Sequence, residues 1–148
     1  MKHTPESQQK ARDQWCHALE SGEYEQGNAV LNHNGKLCCL GVACEEARTA
    51  GIALRTRELS SHSPVSPLYP RVMYETETVS LPVKVREWLG LTHQEGIVDV
   101  EALNADPDLP EIKSSKAATV YLSNLNDKYR FTFEQIAKVV RRGYVASE

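Results

Sequence analysis

Ala29-Val30-Leu31-Asn32-His33-Asn34-Gly35-Lys36-Leu37-Cys38-Cys39-Leu40-Gly41 is the stretch that decides the fold. Asn34-Gly35 readily adopts the positive φ angles of a two-residue type I′ turn, so Ala29–His33 and Lys36–Leu40 are expected to close into an antiparallel hairpin. That turn sets the register: His33 opposes Lys36, Asn32 opposes Leu37, Leu31 opposes Cys38 and Val30 opposes Cys39. One face then turns Ala29, Leu31, Cys38 and Leu40 toward a core. The other, with Val30, Asn32, Leu37 and Cys39, is expected to be partly reachable. After Gly41 the pattern becomes helical from Val42 to Ala50, with Gly51 as its stop.

On the N-terminal side, Thr4-Pro5 opens a helix, the threonine oxygen capping free amides and proline filling a position that needs no N–H. Ala11, Trp15, Ala18 and Leu19 form its single apolar stripe, and Gly22 ends it. On the C-terminal side, Leu59 to Pro70 holds four serines and three prolines and is expected to be an exposed loop. Arg71 to Val79 alternates like a strand. Ser80-Leu81-Pro82 opens a helix through Val85, Trp88 and Leu89 to Gly90, and Ile97 to Val100 forms another short strand. Asn104 to Pro110 reads as turn, and Ser115 to Leu125 as a helix halted at Asn126-Asp127. Thr132 and Gln135 make a capping box for a last helix, with Phe131 positioned to staple onto Ile136 and Gly143 as terminator. The expected architecture is α+β: a mostly helical single domain over 1–148 with a small antiparallel β-hairpin or sheet.

Composition sets outer limits on function. With 148 residues, 41% hydrophobic and 25% charged, the chain is neither collagen-like, coiled-coil nor wholly disordered. Its 17 basic and 20 acidic residues give a net charge of −3, which offers no broad attraction to nucleic acid. The longest apolar run, Leu37 to Ala43, is too short to span a bilayer, and the first ten residues lack the apolar segment of a signal peptide. A cytoplasmic protein without membrane association is the expectation, with homo-oligomerisation left open. The cysteines Cys16, Cys38, Cys39 and Cys44 are then expected to be reduced thiols. No Walker loop, dinucleotide fingerprint, paired zinc knuckle or nucleophile elbow occurs, and no cofactor is implied.

Several blocks together resemble a recurrent family. They are Trp15 with Ser21-Gly22 and Tyr24-Glu25-Gln26; Cys38-Cys39-Leu40-Gly41-Val42-Ala43-Cys44; Leu81-Pro82, Val85 and Trp88-Leu89-Gly90-Leu91; and Leu122, Leu125-Asn126-Asp127, Phe131, Phe133 and Ile136-Ala137. The chain resembles small proteins of bacteriophages and prophage regions, most without an assigned function, over nearly its whole length apart from about Ile52 to Tyr74. The resemblance implies an accessory protein made inside an infected bacterial cell. Small phage accessory proteins commonly interfere with host enzymes or defence systems, either by binding a host protein or by sequestering a signalling molecule, and that role is the expectation by analogy alone.

Candidate sites follow from residue chemistry. Tyr24 and Gln26, between the first helix and the hairpin, can offer a ring face and an amide to a ligand, and Asn126 and Asp127 offer convergent polar groups between two helices. For an anionic ligand the positive groups are the amides near Gly41-Val42 and the side chains of Arg55, Arg57 and Arg71. Each has a structural counterpart: Tyr24 packing over the hairpin, Gln26 tying a turn, Asn126 and Asp127 capping a helix. Cys39, just before a helix N-terminus, is the alternative catalytic nucleophile, yet His3, His17, His33, His62 and His93 are scattered and none is marked as its base. Cys38, Cys39 and Cys44, with Cys16, His17 or His33 as fourth ligand, form the alternative zinc set. Neighbours on a strand point to opposite faces, which opposes a shared metal. The reading favoured on sequence is a non-enzymatic protein that captures an anionic, nucleotide-like ligand or a host protein beside the hairpin.

Overall fold

The computed structural model of the chain describes residues 3–60, 70–113 and 117–148. The first helix, α1 (Pro5–Ser21), starts as its cap chemistry requires: Ser7 N–H donates to Thr4 Oγ1 at 3.0 Å and Thr4 N–H donates to Ser7 Oγ at 2.8 Å. Gly22 closes it at φ 77°. Its stripe of Ala11, Trp15, Cys16, Ala18 and Leu19 is buried.

The hairpin forms around Asn34-Gly35 but is shorter than the turn chemistry predicts. β1 (Asn32–His33) and β2 (Lys36–Leu37) pair as Asn32 with Leu37 and His33 with Lys36, and the ladder stops there. The expected Leu31–Cys38 and Val30–Cys39 pairs do not form, because α2 (Cys39–Thr49) begins immediately after the hairpin with Cys38 as its N-cap. Leu31 instead donates its N–H to Thr78 O at 2.8 Å. Gly41 therefore lies inside a helix rather than ahead of one. On the second face Val30, Leu37 and Cys39 are buried and only Asn32 is half-buried, bordering a small hollow.

Beyond α2, β3 (Thr56–Leu59) and β4 (Arg71–Tyr74) complete a sheet of order β2-β1-β4-β3, antiparallel throughout. β3 lies in a stretch with no strand expectation. The edge it presents carries the exposed charges of Arg57 and Glu58, a pattern that discourages pairing with another chain. The expected strand from Arg71 to Val79 ends at Tyr74, where Glu75 turns at φ 56°. Of the serine-proline loop, residues 61–69, including His62, lie outside the described residues.

α3 (Val83–Leu89) opens after Pro82 and closes at Gly90 as expected. β5 (Ile97–Asp99) leads into α4 (Val100–Asn104), and pairs with β6 (Thr119–Tyr121). Within the predicted helix from Ser115 to Leu125, of which residues 115–116 lie outside the described residues, Thr119–Tyr121 is strand and helix begins only at Leu122, as α5 (Leu122–Asp127). Pairing with the remote β5 overrides a helical spacing of Val120, Leu122 and Leu125. The last helix, α6 (Phe133–Arg141), carries the predicted capping box between Thr132 and Gln135.

The class is α+β, with six helices among the described residues around one contiguous core. Trp15 sits at its centre with no exposure, and its indole N–H donates to Cys39 O at 2.9 Å, joining α1 to the start of α2. Near the C-terminus Arg142 and Tyr144 hold Asp106 at 2.5 and 2.8 Å, and Asp108 N–H donates to its other oxygen at 2.9 Å. These contacts, Arg142 foremost, lower its pKa from 3.8 to about 2. A depressed folded value stabilises above the unfolded pKa and is lost as pH falls, so this contribution fades between 3.8 and about 2. The thermal midpoint of Asp106→Asn is therefore expected to fall less steeply than wild type across that window. Superimposable acid profiles would remove the clamp's role. Glu75, held down by Lys84 and Arg55, keeps part of the acid slope in both proteins.

Candidate functional site

The hairpin, the loop before it and the joint between α5 and α6 meet at Asn126. This side chain is only 4% exposed, and all its hydrogen-bonding positions are used. Its Oδ1 accepts from Gln26 Nε2 at 3.0 Å and from Cys39 N–H at 3.2 Å, while its Nδ2 donates to Gly27 O at 2.9 Å and to Asp127 Oδ1 at 2.8 Å. Gln26 also donates to Phe131 O at 2.9 Å, and Ala29 N–H donates to Asp127 Oδ1 at 3.0 Å. Cys38 has no side-chain cap to give, so Asn126 supplies the α2 cap from the other end of the chain. Buried polar groups of this kind fix geometry only when fully satisfied, and this one is.

Outside this clasp the surface opens into a cleft of about 420 Å³ lined by Gln26, Gly27, Asn28, His33, Lys36, Asn126, Arg130, Phe131 and Thr132. His33 and Lys36 face each other across the turn, and Arg130 enters from the α5–α6 joint at φ 55°. Three side chains able to carry positive charge thus line one concavity, and no carboxylate is among the lining residues. Lys36 has only a loose exposed partner, Glu25 at 3.7 Å, a type of pair that contributes little. Arg130 has no ion-pair or hydrogen-bond partner among the described residues. The arrangement suits an anion, with amides alongside for its neutral portion.

Of the candidates read from sequence, Gln26, Asn126 and Asp127 come together, the first two lining the cleft. Tyr24 lies next door, where its hydroxyl donates to Glu46 Oε2 at 2.7 Å; burial and that carboxylate raise its pKa. Arg71 stands beside His33 on β4 but borders a different, smaller hollow of about 190 Å³, with Asn32 and Glu58. Arg57 is exposed on β3, and Arg55 is paired with Glu75 at 3.1 Å. The amides at Gly41-Val42 are inside α2, Val42 N–H donating to Cys38 O at 3.1 Å. Lys36 and Arg130 line the cleft as its positive groups instead, with the His33 imidazole beside them. His33 and Lys36 could have been found from the turn, which sets them opposite one another; Arg130 leaves no comparable local signal.

The cysteines are core. Cys39 has no exposure, its Sγ donates to Leu122 O at 3.8 Å, and burial, reinforced by Cys38 and Asp127, raises its pKa well above the usual thiol value. Burial likewise pushes Cys38 up to about 12 and Cys44 well above its usual value. Fully enclosed, with a backbone carbonyl rather than an imidazole as its hydrogen-bond partner, Cys39 Sγ lacks, among the described residues, the access and the neighbouring base that a thiol nucleophile uses. For the zinc alternative on Cys38, Cys39 and Cys44, the described residues contain no group of three or more His, Cys, Asp or Glu side chains placed to hold a metal. Nor, among them, is any helix long and apolar enough to cross a membrane.

Fold and site together define a small α+β domain with a polar, cation-lined cleft at a hairpin–helix joint. The chain belongs to the family described as domain of unknown function (DUF8296), whose model matches residues 7–143. No curated protein and no solved structure is significantly similar to it.

Proposed function

We propose that this protein is a non-enzymatic binding protein that captures a small anionic, nucleotide-like ligand in the cleft beside the hairpin. The observation that carries the reading is the meeting of Lys36, His33 and Arg130 in one concavity without a carboxylate, over a floor fixed by Asn126. Its volume, about 420 Å³, falls in the range of about 300–1,000 Å³ usual for small-molecule sites. Charge-assisted hydrogen bonds from lysine and arginine are the usual means of holding phosphate. In the setting that the resemblance to phage and prophage proteins implies, the ligand is a host signal withdrawn from solution, and the protein acts as a counter-defence accessory in the bacterial cytoplasm.

Isothermal titration with ribose 5-phosphate and adenosine monophosphate tests this directly. Both are expected to bind, more weakly as salt rises. The double variant Lys36→Ala with Arg130→Ala, which touches only exposed side chains, is expected to bind at least about tenfold more weakly with an unchanged melting curve. Failure of every phosphate probe to bind at millimolar concentration, or equal affinity in the double variant, would leave the cleft without this role. Co-purification of a stoichiometric host protein in that case would favour direct inhibition of a host target.

A further inference from the structure

We infer that the cleft's ligand is a nucleoside monophosphate whose base bears an exocyclic amino group, the phosphate lying by Lys36 and Arg130 and the base in an adjoining hollow by Tyr24 and Glu134. This rests on the anion-binding reading above and adds the half of the ligand that reading leaves open. The second hollow, about 300 Å³, shares Gln26 and Thr132 with the first, so the two adjoin across that pair.

Polarity inverts across it. On one side stand Lys36 and Arg130; on the other stand Glu20 and Glu134. Glu20 is occupied, accepting from Arg141 Nε at 2.6 Å. The Glu134 carboxylate has no hydrogen-bond or ion-pair partner among the described residues, just as the Arg130 guanidinium has none on its side. Arg130 and Glu134, opposite in sign, therefore flank Thr132, the N-cap of α6, with Glu134 in the first turn of that helix and Lys138 and Arg141 bordering a further hollow beside it. Inorganic phosphate answers only the first of them and a free amine only the second.

An amino-bearing base joined to phosphate through ribose answers both. The exocyclic N–H donates to the Glu134 carboxylate, and hydrogen bonds to a charged partner are among the stronger neutral-to-ion contacts. The base's flat face meets the half-buried ring of Tyr24, whose orientation is fixed by its bond to Glu46. Leu19 and Phe133 supply the apolar rest of the hollow. Gln26 forms the divide, its amide nitrogen engaged by Asn126 and Phe131 and so held in place.

The test compares adenosine monophosphate, uridine monophosphate and ribose 5-phosphate on wild type and Glu134→Ala by calorimetry. Glu134 is exposed and alanine favours helix, so the variant keeps the fold, and circular dichroism verifies this. Adenosine monophosphate is expected to bind about tenfold tighter than either of the others, and Glu134→Ala to erase that preference while leaving ribose 5-phosphate unchanged. Uridine monophosphate or ribose 5-phosphate matching adenosine monophosphate, or a preference that survives Glu134→Ala, would overturn the inference. Ribose 5-phosphate binding that still depends on Lys36 and Arg130 would then leave the anion-binding reading standing. Absence of all phosphate binding would remove both.

Discussion

Gly41→Ala is expected to lower the unfolding free energy by about 3 kcal/mol or more, among the largest losses available to a single methyl group in this chain. Gly41 is fully enclosed where α2 crosses the segment leading into the hairpin. A Cβ there would overlap the Leu31 carbonyl oxygen and lie 2.8 Å from its carbonyl carbon and 3.3 Å from its Cα. All three are backbone atoms, so no rotamer change relieves the overlap. Retreat of the segment is opposed by the bond from Leu31 N–H to Thr78 O and by the complete burial of the Leu31 side chain. Gly22→Ala provides the contrast. Its φ of 77° is unfavourable to alanine, but nothing lies within 4 Å, so the cost is the left-handed conformation alone, about 1–2 kcal/mol. Denaturant titrations of both variants decide the matter: a Gly41→Ala loss no larger than that of Gly22→Ala would mean the two segments part more easily than their contacts indicate.

The same glycine shows which parts of this fold can be read from sequence. Features specified within a few residues are legible: the Asn34-Gly35 turn with its two pairs, the Thr4 and Thr132 caps, the glycine ends at Gly22 and Gly90. Features specified by remote partners are not. Glycine between a strand pattern and a helix pattern looks like a boundary, whereas here its missing side chain admits a neighbouring backbone. The helix starts two residues earlier, at Cys39, because its cap comes from Asn126, 87 residues away. Val120, Leu122 and Leu125 fit a helical period, yet β5 recruits Val120 into a strand. The site divides likewise. Asn126, Asp127 and Gln26 stand out as polar residues beside firm elements, and the structure joins them. Arg57 and Arg71 are equally basic but sit elsewhere on the sheet, while Arg130 is brought in by a joint that only the packed helices define.

Asn126→Ala carries the second large effect, about 3 kcal/mol of stability with loss of the cleft's shape. Removing the amide strands Cys39 N–H without its helix cap and Gly27 O without a donor, both at a joint largely closed to water. Each orphaned buried group costs about 1–3 kcal/mol, and Gln26 and Asp127 lose their shared partner as well. Because those four contacts converge on one side chain, the losses are coupled rather than additive. Asn126→Asp separates hydrogen bonding from shape. A carboxylate of the same size keeps both acceptor contacts but cannot donate to Gly27 O, and it would face Asp127 Oδ1, which the native amide meets at 2.8 Å. Burial and the neighbouring charge then raise that carboxyl's pKa above its unfolded value, so its protonated form stabilises at low pH and the benefit disappears as pH rises. Asn126→Asp is accordingly expected to be less stable than Asn126→Ala near neutrality and to recover relative to it on acidification. If both variants lose less than about 1 kcal/mol and keep phosphate affinity, the joint is held by apolar packing and Asn126 does not set the cleft.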